Sequence, residues 1–188
     1  MAARPGAQLY IQVKHWGEND PGHAAYSGEV GRLGFRVPEP YLDDRASPWS
    51  SVRLKLLTRG GALPLMDRIG RERGWPRSAR RCLMCRTGEV EDVPHVMMDC
   101  PAYAVGRAAL LDRIQHIATR QGFASAVAER FDALGRGGLL LVMLGQRVGN
   151  AAVEGAIDLA VKMFLAAVWR ERAVVREAIN LRFGRDDS

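Results

Sequence analysis

Four residues constrain this chain more than any others: Cys82, Cys85, His95 and Cys100, arranged as C-x2-C-x9-H-x4-C and containing all three cysteines present. Cysteines at this short spacing let one tight turn present two thiolates to a single ion. His95 and Cys100, joined by a short stretch, can supply the other corners of a tetrahedron. Sulfur and imidazole donors select zinc over magnesium or calcium. Four protein ligands leave no open coordination position, so the implied Zn2+ is structural rather than catalytic. Three thiolates and a neutral histidine around Zn2+ carry a net negative charge, which Arg80, Arg81 and Arg86 lie close enough in sequence to offset. Three other accounts of the grouping compete. A redox pair of thioredoxin type needs a strand–helix context and leaves His95 and Cys100 without a role. Buried unliganded thiols and an iron–sulfur site with histidine as fourth ligand are the others. Zinc gives all four residues one task.

Charge is the second constraint. The net charge is +6, yet Arg53, Lys55, Arg59, Arg68, Arg71, Arg73, Arg77, Arg80, Arg81 and Arg86 face only Asp67 and Glu72 within their own segment. The basic excess therefore sits in one stretch that runs into the cysteines. Planar guanidinium matches phosphate oxygens bidentately, so these ten residues form a candidate RNA- or DNA-binding face. Lysine is scarce (Lys14, Lys55 and Lys162), and a coding bias explains arginine over lysine but not the clustering. Between the ligand pairs the sign reverses with Glu89, Glu91 and Asp92. One of these carboxylates could orient His95 through its second ring nitrogen; alternatively they form a solvated turn paired with nearby arginines.

Composition and patterning set the frame. With 47% hydrophobic and 26% charged residues, the chain reads as globular. Its longest apolar runs, Met163–Trp169 and Leu139–Leu144, are far too short to span a bilayer. No signal-peptide pattern follows Met1, and three clustered cysteines make no disulfide framework. An intracellular protein, nuclear or cytoplasmic and not secreted, is expected, with no membrane partner and no small-molecule substrate.

Residues 1–49, rich in proline and glycine, read as a loop-rich N-terminal arm with one short alternating strand, Gln8–Lys14. Residues 50–121 read as the zinc-binding module and 122–188 as a helical C-terminal region packing on it. Ser50–Leu57 fits either strand or helix, with Ser50 a candidate N-cap, and Leu63–Arg73 reads as helix ending at Gly74. Pro101 suits the start of a helix carrying Val105, Ala108, Leu111, Ile114 and Ile117 as an apolar stripe. Ser125 can cap a shorter helix with Val127, Phe131 and Leu134. Leu139–Leu144 is a buried segment of undecided type. Asn150 can cap a long last helix whose Val153, Ile157, Val161, Phe164, Val168, Val175 and Ile179 share one face. The expected fold is mainly α: a small zinc-nucleated Cys3His module, a helical C-terminal part and the arm.

Arg81-Cys82-x-x-Cys85, Glu91-Asp92-x-x-His95 and Cys100-Pro101-x-Tyr103-x-x-x-Arg107 resemble the zinc-binding segment that follows the polymerase in LINE-type (non-LTR) retrotransposon reverse transcriptases. Leu56-Leu57-Thr58-Arg59, with Arg68 and Arg71, is similar to that family's approach to its first cysteine. Leu144-Gly145 and Phe164–Arg172 resemble its closing helix. The resemblance covers residues 48–175 and implies a nucleic-acid-binding accessory to reverse transcription. Tyr41-Leu42-Asp43-Asp44 has the form of the polymerase catalytic motif, but the stretch between Asp44 and Cys82 is too short for a palm, thumb and connector, and a surface turn accounts for it better. His15, His23 and His116 are isolated, with no Ser–His–Asp grouping, and Met84, Met97 and Met98 are expected to pack beside the zinc. No catalytic residue is assigned. The expectation is a non-enzymatic zinc module that binds RNA or DNA. The competing expectation is a subunit of a larger protein assembly, domesticated from a retroelement fragment.

Overall fold

The computed structural model describes residues 47–120, 135–146 and 148–183. The arm's strand at Gln8–Lys14, the Tyr41–Asp44 motif, His15, His23 and the short helix after Ser125 lie outside these residues. Among the described residues the protein is mainly helical, with one isolated antiparallel bridge, Arg81 to Val90, as its only β pairing.

Helix α1, Trp49–Arg59, resolves the ambiguity of the Ser50–Leu57 stretch in favour of helix. Its start is set by Pro48, whose carbonyl accepts from Ser51 and Val52, and not by a Ser50 side-chain cap. The apparent alternation misled because α1 turns a partly polar stripe inward. Ser51, Val52, Lys55, Thr58 and Arg59 are buried at helical spacing, while Leu56 and Leu57 are only half-buried. Lys55 is fully buried and is served there by the Met143 carbonyl and by Asp158, 3.2 Å away. Burial is the main cause that pushes its ammonium down to about 8, with Asp158 opposing and Arg59 and Lys162 adding to the shift.

Helix α2, Met66–Glu72, is shorter than the Leu63–Arg73 stretch suggested and stops at Gly74, which takes the left-handed conformation at φ +69°. The metal loop follows. A 3-10 turn at Pro101–Tyr103, opened by Pro101 as expected, leads into α3, Ala104–Arg120. The buried stripe of α3 is Leu110, Ile114 and Ala118, with Leu111 and Ile117 half-buried at its margin. Val105 is 86% exposed and Ala108 is exposed, so the expected stripe was rotated at its N-terminal end. Small and β-branched residues on several faces leave the phase of this helix undetermined by pattern.

Residues 135–143 form helix α4, which settles the type of the Leu139–Leu144 segment. Gly145 then turns the chain at φ +105°, where a Cβ would lie 2.7 Å from Arg59 Nη1, so only glycine permits this approach. Helix α5, Ala151–Phe183, is capped as the sequence indicated: Asn150 Oδ1 accepts from Val153 N at 3.0 Å. Glu154 reinforces the start by accepting from the amides of Val148 and Gly149. Val153, Ile157, Val161, Phe164 and Val168 are buried on one face of α5, and Val175 is half-buried.

Helix α5 packs against both α1 and α3. One buried cluster runs from Leu54 through Cys82, Met97, Cys100 and Tyr103 to Ile157, Leu165 and Val168. The ligand-bearing loop and the last helix therefore share a core across the 121/122 boundary. No helix among the described residues is long and apolar enough to cross a membrane.

Candidate metal centre

The loop that carries the ligands is built by backbone pairing at its neck. Cys82 N donates to Glu89 O at 2.8 Å and Glu91 N donates to Arg80 O at 3.0 Å, which closes a small hairpin with Cys82 and Cys85 at its turn. Met84 N donates to Cys82 Sγ at 3.4 Å, as expected for a tight turn wrapped around a sulfur. The other ligand pair comes from a wide turn of π type at His95–Asp99, closed by Cys100 N to His95 O at 2.6 Å. This widened turn brings His95 and Cys100 to the same side of the chain, a use typical of π-type turns at functional sites.

The four ligand atoms lie within 4.8 Å of one another. Cys82 Sγ is 3.8 Å from Cys100 Sγ, and Cys85 Sγ is 3.4 Å from His95 Nε2. Tetrahedral zinc, with Zn–S about 2.3 Å and Zn–N about 2.0–2.1 Å, requires edges of roughly 3.8 Å between sulfurs and roughly 3.6 Å between sulfur and nitrogen. These two edges suit one tetrahedral ion, and a disulfide, with sulfurs about 2.05 Å apart, does not describe the Cys82–Cys100 pair.

The three thiols differ in acidity. Burial pushes Cys82 up to about 12, helped by the neighbouring Cys100 and Glu91 charges and partly opposed by the amides of Met84 and Cys85. Burial likewise raises Cys100. At half-buried Cys85 the burial effect is outweighed by hydrogen bonds from the Thr87 hydroxyl and amide, with His95 and Cys82 contributing, and the thiol falls to about 7. A divalent ion held here would have to displace the protons of the two buried thiols, which would weaken its affinity in acid.

The acidic residues between the ligands take roles that no spacing rule announces. Asp92 Oδ1 accepts from the backbone N of His95 at 2.8 Å, so it fixes the ligand's main chain and not its ring. Glu89 is exposed. Glu91 is completely buried and forms a bidentate pair with Arg172 of α5, at 3.0 and 2.8 Å. It also accepts from Met66 N, at the start of α2, at 2.8 Å. The expected pairing with nearby arginines is thus replaced by one with a residue on the last helix. Arg107 Nη1 donates to Cys100 O at 3.0 Å, and Met97 is fully buried, with Met84 and Met98 half-buried against the same core.

The ten bases of the candidate nucleic-acid face do not share one environment. Lys55 is 0% and Arg59 5% exposed, so burial removes both from any accessible face. Arg80 bonds the Trp75 carbonyl and Asp67, Arg68 pairs with Glu72, and Arg71 pairs with Asp67. Arg53, Arg73, Arg77, Arg81 and Arg86 are exposed, with Arg73 lying over the Trp75 ring and Arg81 bonded to Ser78 O. Asp67 and the Trp75 carbonyl thus organise part of the segment internally.

Compared with protein-family models, curated proteins and solved structures, the chain finds no match.

Proposed function

We propose that this chain is a non-enzymatic zinc module that binds RNA or DNA through the exposed arginines flanking its metal loop. The observation that carries the reading is the convergence of Cys82, Cys85, His95 and Cys100 within 4.8 Å, which supplies as many protein donors as a tetrahedral ion takes. Such a site stabilises a fold and offers no position for substrate. The likeness of its motif to the zinc segment of LINE-type reverse transcriptases supports nucleic acid as the partner. So does the exposure of Arg53, Arg73, Arg77, Arg81 and Arg86. Elemental analysis of purified protein, followed by a salt titration of binding to labelled single- and double-stranded nucleic acid, tests both halves. One zinc per chain is expected, with affinity falling linearly on a log–log plot against salt as counterions are released. A metal-free protein that stays folded in chelator overturns the centre, and binding absent at micromolar protein overturns the partner.

A second reading, a subunit of a larger protein assembly, has its own support. Leu159, Met163 and Val174 of α5 are 40%, 55% and 69% exposed, and Trp49 is 69% exposed. Analytical ultracentrifugation tests self-association directly, and a monodisperse monomer that captures no protein counts against this reading.

A further inference from the structure

Glu91 is the most unusual residue of the metal loop. A carboxylate with no exposed surface is costly to bury unless it is paired and hydrogen-bonded. Its Oε2 takes Met66 N–H and one arm of the Arg172 guanidinium; its Oε1 takes the other arm and lies 4.0 Å from Cys82 Sγ. Arg172 is itself 2% exposed at its side chain and stacks over Trp169, 5.3 Å from the ring centroid. The chain Cys82–Glu91–Arg172 therefore links the metal loop to the far half of α5 through buried side chains. With a divalent ion, a Cys3His centre has a net charge of about −1, and Glu91 adds a second negative charge beside it. Arg172 is the cation placed against that carboxylate.

We infer that Arg172 acts as an outer anchor of the metal centre, so that metal loading and the seating of the last helix on the loop depend on one another. The inference rests on the proposed metal centre and assigns to it a residue far from any ligand in sequence. Seating Arg172 offsets the negative charge that the loaded centre and Glu91 accumulate. By thermodynamic reciprocity, whatever Arg172 adds to metal affinity, the metal adds to the docking of the helix. Trp169 and Arg172 sit at this junction, so the metal state is felt in the second half of α5 before its first half.

Chelator competition on the full chain tests it with zinc as the probe, after the zinc content of the parent is measured. Arg172→Gln is expected to weaken zinc binding by roughly 10–100-fold, the usual loss for an outer partner of a metal site. The double change of Arg172→Gln with Glu91→Gln is expected to recover part of that loss, because it removes the stranded carboxylate as well. Equal affinity in Arg172→Gln and parent, or a double variant no tighter than Arg172→Gln, overturns the inference. If Arg172→Gln does not fold, hydrogen exchange in the parent decides. Removing zinc should speed exchange at residues 168–176 more than at 153–165 of the same helix, and uniform acceleration along α5 overturns the inference. A zinc-free parent sinks the centre and this inference together. A loaded parent with an indifferent Arg172→Gln sinks only the anchor.

Discussion

In the metal loop, four side chains drawn from Cys82–Cys100 end within 4.8 Å of one another. In the basic segment just before it, ten bases drawn from Arg53–Arg86 end in the core, in ion pairs and on the surface. Both were read from sequence by residue type and proximity. The difference lies in what each chemistry demands. A metal centre needs a few donors at fixed distances, and short spacings can deliver them only through a turn around the ion. Phosphate binding needs only accumulated charge, and a cluster along the chain leaves open which way each side chain points.

The largest expected effect is on the metal side. Cys82→Ser or Cys100→Ser should abolish cooperative unfolding of the loop and its packing, because structural zinc supplies ~10 kcal/mol or more of folding free energy in small modules. Circular dichroism melting checks this, and a variant that melts cooperatively at the parent's temperature would show that the loop is held by its apolar core alone. Cys82 and Cys100 are themselves members of that buried cluster.

Where the sequence was legible, a short-range rule was at work. The convergence of Cys82, Cys85, His95 and Cys100 follows from spacing, and α5 follows from a stripe of Val153, Ile157, Val161, Phe164 and Val168 behind an Asn150 cap. Where it was not, the decisive partner was distant or the inward face was polar. The pairing of Glu91 with Arg172 spans 81 positions and obeys no periodicity. Helix α1 looked like an equal candidate for strand because its buried positions include Lys55, Thr58 and Arg59, which a hydrophobicity pattern counts as surface. Lys55 becomes tolerable inside only once Met143 O and Asp158, from α4 and α5, arrive beside it.

That buried lysine gives the next expected effect. Its folded-state value of about 8 lies below the ordinary lysine value of 10.5, so between these values the unfolded chain holds a proton that the native protein has released. Native stability should therefore rise with pH across this window relative to a Lys55→Met variant, by at most about 1.4 kcal/mol per pH unit. Parent and variant carry the same cysteines, so thiol titration largely cancels in the difference. Denaturant midpoints measured from about pH 8 to about pH 10, in roughly unit steps across the window, would measure it. A constant difference would mean that Lys55 keeps its charge and that Asp158 and Lys162 reorganise around it.

A smaller effect is expected at the start of α5. Asn150→Ala removes the acceptor for Val153 N–H and should cost about 1 kcal/mol, with Glu154 still holding the amides of Val148 and Gly149. Thermal melting of the zinc-loaded protein would register it. A loss several times larger would place this cap inside the cooperative unit that the metal stabilises.

The smallest effect on stability per residue, and the sharpest test of the contrast between the two regions, comes from the surface arginines. Changing Arg53, Arg73, Arg77 and Arg86 together to glutamine alters exposed side chains and should shift stability by only about 0.5 kcal/mol for each site or less. On the proposed function, the same variant should bind nucleic acid more weakly and lose up to about four units of salt slope, one per phosphate contact removed. Arg80→Gln should behave in the opposite way. Its guanidinium is committed to Trp75 O and Asp67, so its loss should lower the melting temperature and leave the salt slope unchanged. If Arg80→Gln instead changes binding while the quadruple variant does not, the division of the segment into structural and contacting arginines is reversed. The polyanion would then be read by the part of the segment that Asp67 organises.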